Sequence, residues 1–556
     1  MCQNKSEEEM KRPILIREYT FRSLIETTSE KYQSDPAYSL YGKDGSTITY
    51  SDLHERCSRV STWLLKRGLN RGHRAAVYST GSPEWMVSYL GIVNASVTAV
   101  PILPDFSSLE SSNILRESSA DVVFVTRRLY PRIEEIVMER NITAVDIETM
   151  TVIGSGESIL STPFGLMLLE ENAPVEDDVA SLIYTSGTTG RSKGVLLTHK
   201  NLLYSADEAS VPYIKVKRGW NVLSILPMSH VYEFTLGNIL PLMCGCHITV
   251  LGRTPSSSVL LPAFRKVRPQ VIMTVPLIIE KIYTSSVKPV LENERVKKLC
   301  RIPFMKKVIY RLISSRILSA LGGRMKFFGI GGAPLERETE EFLYEAGFPY
   351  ALGYGLTETS PLISSCGPKR RQHRKGRTGK IVSGLEVKIL SPDENGIGEL
   401  AVKGPSVMKG YSDASLNADA FTEDGFFRTG DLVSITDEGF LGIRGRSKTM
   451  ILLSGGENIY PEDIESLINR EKFVEESLVV NHSGVLTALV KLDLSSYAES
   501  LGRKVEETGE DAKKYCALVI GRVNSKLSRF QRIGKVLLQE RAFERTPTLK
   551  IKRYLY

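Results

Sequence analysis

Short runs rich in β-branched and aromatic residues alternate with longer amphipathic stretches through most of this chain. RAAVYST (74–80), VTAVPIL (97–103), ADVVFVT (120–126) and KFFGIGG (326–332) are the clearest. Each is closed by polar residues or Gly/Pro punctuation before a helical pattern begins, which favours an α/β architecture. At 556 residues the chain is long enough for more than one domain and a sizeable buried core. No repeat of fixed period and no low-complexity tract interrupts the pattern. The composition shifts after GFLGIRGRSKTMILLSGGENIYPEDIE (439–465). The reading is a large N-terminal part over 1–445, a hinge at 446–449 and a small α+β C-terminal domain over 450–556.

Lys and Arg number 72 against 64 Asp and Glu, a net charge of +8. A nucleic-acid protein concentrates basic charge more strongly, so no nucleic-acid partner is expected and +8 points to a local patch for anionic partners. Seven scattered cysteines fit reduced thiols in a cytoplasm. Cys244, Cys246 and His247 lie close together but fall short of a structural zinc set. Acidic residues occupy the N-terminus where a signal peptide needs an apolar core. No run reaches the roughly 18 apolar residues of a membrane span. The expected location is therefore cytoplasmic. Two segments are unusually basic. PKRRQHRKGR (368–377) reads either as a solvated loop or as an anion-docking one. FMKKVIYRLISSRILSALGGR (304–324) places Phe304, Val308 and Leu312 on one side of a helix, with Lys306, Lys307, Arg311 and Arg316 over much of the rest. It reads either as an ordinary packed helix or as a peripheral contact with an anionic membrane surface.

The most informative stretch is SLIYTSGTTGRSKGVLLTH (181–199), an apolar strand, a Gly/Ser/Thr loop and a second apolar strand. Gly187, Gly190 and Gly194 let backbone N–H groups approach an anion, while Thr185, Ser186, Thr188 and Thr189 add hydroxyl donors. Lys193 adds a full positive charge. This is a nucleotide phosphate cradle without the glycine spacing, or the Ser/Thr after Gly-Lys, of a Walker A loop.

YTSGTTGRSKGV resembles the signature of the adenylate-forming superfamily, which includes acyl-CoA synthetases, nonribosomal peptide adenylation domains and firefly-type luciferases. Further motifs follow in the family's order: GGAPL (331–335), GYGLTETSP (353–361), FRTGDLVSITDEGFLGIRGRSK (427–448), SGGENIYPEDIE (454–465) and TPTLKIKR (546–553). Weaker similarity reaches N-terminally through ITYSDL and GSPEW. The resemblance implies stacked β-sheets with flanking helices and a small β-barrel, followed by a mobile C-terminal domain. It also implies a chemistry. A carboxylate attacks the α-phosphorus of MgATP to give an acyl-adenylate and pyrophosphate, and a thiol then displaces AMP. Such a step gathers anions and needs countercharge and positioning more than a nucleophilic side chain.

By the same resemblance, Glu358 holds Mg²⁺ and Thr357 bonds an α-phosphate oxygen. Tyr354, followed by Gly355, stacks on adenine, with Gly331, Gly332, Ala333 and Pro334 as a thin wall. Asp431 accepts the ribose hydroxyls, and Arg446 reaches the ribose or phosphate from the hinge side. Lys550 aligns with the family's catalytic lysine, bridging the attacking carboxylate and the α-phosphate; Lys552 and Arg553 are read as a charged tail. Gly455 and Gly456 belong to the loop presented to the thiol. Two positions depart from the common pattern: Leu549 precedes the lysine where many relatives have glycine, and Thr449 replaces the hinge aspartate.

TPTLKIKR, LPMSHVYEF (226–234) and TVPLIIEKIY (274–283) resemble the long-chain fatty acid–CoA ligase branch. His230 is then the positioning aromatic near the acyl carboxylate, and Phe234 falls where a gate to an apolar acyl tunnel is expected. The implied cofactors are ATP and Mg²⁺, with coenzyme A as co-substrate. An acyl carrier protein, or a stop at the acyl-adenylate, stands as the alternative. A nonribosomal module is disfavoured because no carrier domain follows Tyr556. A non-enzymatic nucleotide-binding scaffold predicts decay of the charged positions, yet Lys193, Glu358, Asp431, Arg446 and Lys550 all stand.

Overall fold

The computed structural model describes residues 16, 18–186, 192–210, 213–447, 449–452, 458–482, 485–545 and 551–556. These fall into two compact units. The first takes residues within Met1–Thr185, Ser192–Glu386 and Lys403–Gly425, and the second those within Ser186–Arg191, Val387–Val402 and Phe426–Tyr556.

The first unit is built on two sheets. In one, the strands Thr98–Ile102, Arg74–Tyr78, Val122–Val125 and Thr143–Asp146 lie side by side in parallel. Val179–Ser186 and Ser192–Thr198 extend this sheet on the Thr98–Ile102 side, and Gly410–Tyr411 closes its edge. In the other, Pro36–Leu40, His247–Val250, Asn221–Ser224, Val271–Thr274, Phe327–Ile330 and Tyr350–Gly355 run parallel in that order. Leu362–Ser365 and Gly379–Ile381 then continue it antiparallel. Strands covered on both faces read as unbroken apolar runs, and RAAVY, VVFV and FFGI are of this kind.

The N-terminal motifs turn out to be helix starts. In ITYSDL, the Thr49 hydroxyl accepts the Asp52 N–H while the Asp52 carboxylate accepts the Thr49 N–H, opening the helix Tyr50–Lys66. In GSPEW, the Ser82 hydroxyl accepts the Trp85 N–H at 3.0 Å, and Pro83 begins the helix Pro83–Asn94 where its missing N–H costs nothing. Among the described residues, the six cysteines are free thiols, five of them buried. No helix among them is long and apolar enough to cross a membrane.

The second unit holds the antiparallel strands Phe427–Ile435 and Phe440–Arg446, and the sheet Val474–His482, Val485–Leu492 and Lys535–Leu538. The helices Pro461–Ile468 and Gly509–Asn524 pack on that sheet through Ile464, Ile468, Val519 and Val523, against Val479 and Val490. Ile464 is wholly buried in this cluster. Ile464→Ala should therefore cost about 2–5 kcal/mol by leaving a cavity. The check is the urea midpoint, and a shift within error of wild type would contradict this packing.

Candidate active site

The glycine-rich loop is framed by two strands. Val179–Ser186 ends at it and Ser192–Thr198 leaves it, with the Thr185 hydroxyl 3.5 Å from the Lys193 carbonyl across the gap. Gly187, Thr188, Thr189 and Gly190 lie outside the described residues, as does the Ser186 side chain.

Lys193 stands on the outgoing strand, its ammonium 5.0 Å from the centre of the Tyr411 ring. The Tyr411 hydroxyl donates to Glu358 Oε1 at 2.9 Å. One aromatic side chain therefore touches the loop lysine with its face and the TETS carboxylate with its hydroxyl. Its own position is fixed by backbone. Tyr411 lies opposite Val195 in an antiparallel pair, the Ser412 N–H donates to the Gly194 carbonyl at 2.8 Å, and the Tyr411 N–H donates to Asn417 Oδ1 at 2.8 Å. Nothing in the sequence reading singled out Tyr411; the dipeptide Gly-Tyr before Ser-Asp carries no chemical signal of its own.

GYGLTETSP forms a strand end and a tight turn, Thr357–Thr359. The buried Thr359 hydroxyl donates to the Pro361 carbonyl at 2.6 Å and accepts the Leu356 N–H at 3.1 Å, locking the turn from inside. Thr357 and Glu358 are left half-buried at its rim. The Glu358 carbonyl accepts the Met408 N–H at 2.8 Å, tying this turn to the Tyr411 segment. Gly355 is obligatory here, since a Cβ would stand 1.7 Å from the Pro361 oxygen. Tyr354, on the same strand, is 8% exposed. In GGAPL, Gly331 is buried with the Tyr232 ring beside it, Gly332 takes φ +84°, and Gly332, Ala333 and Pro334 are open to solvent.

As a fit to Mg²⁺, the donor set is a single hard carboxylate oriented by a phenol. Among the described residues, no group of three or more His, Cys, Asp or Glu gathers into a metal cage. That suits an ion held mainly by substrate phosphates and one or two carboxylates.

In the second unit Asp431 and Arg446 face each other across the strand pair Phe427–Ile435 and Phe440–Arg446, with Nε 2.7 Å from Oδ1. Asp431 is buried at 3% exposure while the arginine stays accessible, so the carboxylate is oriented from one side. The Thr449 hydroxyl donates to Glu462 Oε1 at 2.8 Å. Gly455, Gly456 and Lys550 lie outside the described residues.

His230 follows a strand end, its Nδ1 accepting the Tyr232 N–H at 3.3 Å. Phe234 is buried among aromatic rings, 4.4 Å from Tyr89 and 5.9 Å from Trp85 between ring centres. Between them sits Glu233, which the sequence reading passed over. It opens the π-helical turn Glu233–Ile239 and is wholly buried. Gly237, four residues on, makes the room, since a Cβ there would lie 2.8 Å from the Glu233 carboxyl carbon. Burial pushes the group up to about 8, only partly offset by the Ser224 side chain and the Ile225 backbone. The acid is therefore held neutral near pH 7. A lone acid ahead of the apolar run FTLGNILPLM was the available signal.

The basic loop is fastened down. Arg370 lies 4.4 Å over the Tyr344 ring and 3.6 Å from Glu345, and Lys375 reaches Glu341 at 3.0 Å and Glu345 at 3.5 Å. All of these partners belong to the helix Arg337–Ala346. The basic helix Pro303–Ala320 packs inward through Ile313, Ser314 and Ile317, with Phe304 and Leu312 facing out.

The sequence pattern of the family described as AMP-binding enzyme matches residues 25–412. A long-chain-fatty-acid–CoA ligase of Mycobacterium bovis is 28% identical over 582 residues, covering 94% of this chain and 93% of the relative. The peroxisomal long chain acyl-CoA synthetase 6 of Arabidopsis thaliana is also 28% identical, covering 85% and 72%. ATP-bound MatB from Rhodopseudomonas palustris shares the fold with a TM-score of 0.74 at 25% identity, covering 96% and 98%. The o-succinylbenzoate coenzyme A synthetase of Bacillus subtilis, solved with ATP and magnesium, does so at 0.72 and 23% identity over 96% and 98%.

Two outcomes are expected of this geometry. Tyr411→Phe keeps the ring under Lys193 but frees Glu358, so adenylate formation should fall by about tenfold, the scale of one hydrogen bond to a charged group. An unchanged rate would remove Tyr411 from the site. For Glu233, the native carboxyl keeps its proton up to about 8 whereas an exposed one loses it at the usual 4.5. The native state then binds more protons between those values, so stability should fall as pH rises through that window, by up to about 1.4 kcal/mol per pH unit. Glu233→Gln should flatten the slope of urea midpoint against pH from 5 to 8; identical slopes would refute a neutral Glu233.

Proposed function

This chain belongs to the AMP-binding enzyme family, and from that premise we propose that it activates a long-chain fatty acid with ATP. The carboxylate is converted to acyl-AMP with release of pyrophosphate, and the acyl group then passes to the thiol of coenzyme A with release of AMP. The observation that carries the reading is the convergence of Lys193 and Glu358 on Tyr411, with the lysine on the strand that follows the glycine-rich sequence. The relatives named long-chain ligases, and the segments LPMSHVYEF, TVPLIIEKIY and TPTLKIKR, support the acyl class.

In this reading Lys193 and the loop hydroxyls draw the ATP phosphates out of water and hold them at fixed distance, which removes most of the entropy of the encounter. Thr357 holds an α-phosphate oxygen, and Asp431, oriented by Arg446, takes the ribose hydroxyls. Tyr354 and the 331–334 wall enclose the adenine. Glu358, with the substrate phosphates, would hold a magnesium ion, which when bound would supply the neutralising charge that lets one anion approach another. His230 sets the direction of the fatty carboxylate, and Lys550 bridges it to the α-phosphate where negative charge crowds in the transition state. The C-terminal domain over 450–556 then turns about the hinge at 446–449 to present Gly455 and Gly456 to the thiol.

Coenzyme A is taken as the acceptor because Arg370 and Lys375 are engaged by acids of their own unit, which weakens the case for the 368–377 loop as a docking surface for an acidic carrier protein. A contact between the basic helix Pro303–Ala320 and an anionic membrane is supported by the outward Phe304 and Leu312 beside Lys306 and Lys307.

Pyrophosphate release with MgATP should require a long saturated or monounsaturated acid and be far slower with acetate or benzoate. Thioester should form with coenzyme A and not with a carrier protein. Lys550→Ala should lower adenylate formation by roughly 10²–10³-fold, the scale of one preorganised transition-state contact, and slow thioester formation from supplied acyl-adenylate far less. Gly456→Leu should do the converse. A higher specificity constant for acetate, or equal damage to both half-reactions in Lys550→Ala, would overturn the respective assignment.

A further inference from the structure

Arg553, three residues beyond Lys550, was set aside above as part of a charged tail. The structure gives it two partners. Its guanidinium is ion-paired with Glu465 and lies 3.6 Å from Glu462 Oε1. Both acids stand on the helix Pro461–Ile468, one turn apart, so one arginine spans both. Glu465 is only 8% exposed, and its Oε1 also accepts the Val479 N–H at 2.7 Å, which ties the helix to the strand Val474–His482. Burial pushes the Glu465 carboxyl up to about 7, and the Arg553 guanidinium and the Val479 N–H offset this only in part, so the anionic form that ties helix to strand depends on the arginine.

The same Glu462 oxygen accepts the Thr449 hydroxyl at 2.8 Å. That hydroxyl lies 3.1 Å from the Arg446 carbonyl, and the Arg446 side chain holds Asp431 at 2.7 Å. A continuous polar chain thus runs from Asp431 through Arg446 and Thr449 to Glu462, Arg553 and Glu465. At the other end, Arg545 and Ile551 pair as an antiparallel bridge, the Lys552 N–H donates to the Glu544 carbonyl at 2.8 Å, and Arg545 is ion-paired with Glu476. Phe543 is buried against Leu478 and Leu489, and its ring meets Tyr556 at 5.2 Å. The chain on both sides of residues 546–550 is therefore riveted to one sheet and one helix.

We propose that Arg553 is a positioning residue for adenylation, holding the base of the lysine-bearing segment through Glu465, and that Glu462 couples this anchor to the hinge hydroxyl of Thr449. The proposal rests on the reading of Lys550 as the lysine of the first half-reaction. Arg553 contacts no reacting atom in this account. It decides where the segment begins, and a displacement of about 1 Å at a reacting group is enough to cost about 10²-fold. Thr449 explains why a hydroxyl serves at the hinge: it shares the acceptor that Arg553 approaches, where an aspartate would set two carboxylates against each other.

The test measures fatty-acid-dependent ATP–pyrophosphate exchange and thioester formation from supplied acyl-adenylate in the full-length enzyme. The variants are Arg553→Gln, Arg553→Lys, Lys550→Ala and the double variant Arg553→Gln/Lys550→Ala, each with a thermal melt. Arg553→Gln should lower exchange by about 10–100-fold, with KM for ATP within about twofold and the second half-reaction within about threefold. Arg553→Lys should recover part of the loss. The double variant should be no slower in exchange than Lys550→Ala alone, because a residue acting only through Lys550 has nothing left to position. The Glu465→Gln/Arg553→Gln pair guards against misfolding: removing both charges should restore the melting midpoint but not the exchange rate. If Arg553→Gln slowed both half-reactions in proportion, or multiplied the defect of Lys550→Ala, the arginine would be merely structural and the proposal would fall. A Lys550→Ala enzyme with undiminished exchange would instead overturn the reading of the lysine.

Discussion

A phenol between opposite charges organises the first unit's site. Tyr411 gives its hydroxyl to the Glu358 carboxylate and its ring face to the Lys193 ammonium. Neither contact is large alone; a cation over an aromatic ring is worth about 0.5–2 kcal/mol. Their value lies in keeping a lysine and a glutamate near one another without letting them collapse into an ion pair. A direct pair would spend both charges on each other. The aromatic spacer instead gives each of them a partner that carries no opposing charge.

A second device works by the opposite means. Glu233 is wholly buried against Gly237 in the π-helical turn, and desolvation is the leading influence on its carboxyl. Desolvation then does what a proton donor would otherwise have to do, and the acid stays neutral. Tyr232, His230 and Phe234 flank it, so this turn is built around an uncharged carboxyl. In the second unit the buried Glu465 is treated differently again, with an arginine and a backbone N–H both spent on it.

The strands were legible because fully covered strands leave unbroken apolar runs, and RAAVY and FFGI sit where the punctuation places them. GSPEW was legible as similarity but not as a cause, and the Ser82 cap supplies the cause. Lys193 was legible in the composition of its loop and Glu358 through motif resemblance, whereas Tyr411 was not, because its contacts run across the sheet edge rather than to its neighbours along the chain. Glu233 was hidden by size: an acid inside an apolar stretch draws little notice until its burial is known. Arg553 was misread for a simpler reason. A basic residue near a chain end has the composition of a solvated tail, and only the two acids on Pro461–Ile468 reveal what holds it.

The separation between Tyr411 and its partners also bears on how such a protein is made. Glu358 stands 53 positions before it, and the glycine-rich loop is far earlier still. Contacts of high sequence separation close late, after most of the chain has been committed to structure. During synthesis Lys193 emerges long before the Tyr411 ring that its ammonium meets and the Glu358 carboxylate that the phenol holds. A nascent chain arrested halfway carries the lysine strand without either partner. The lysine–phenol–glutamate set thus arrives only with the finished fold.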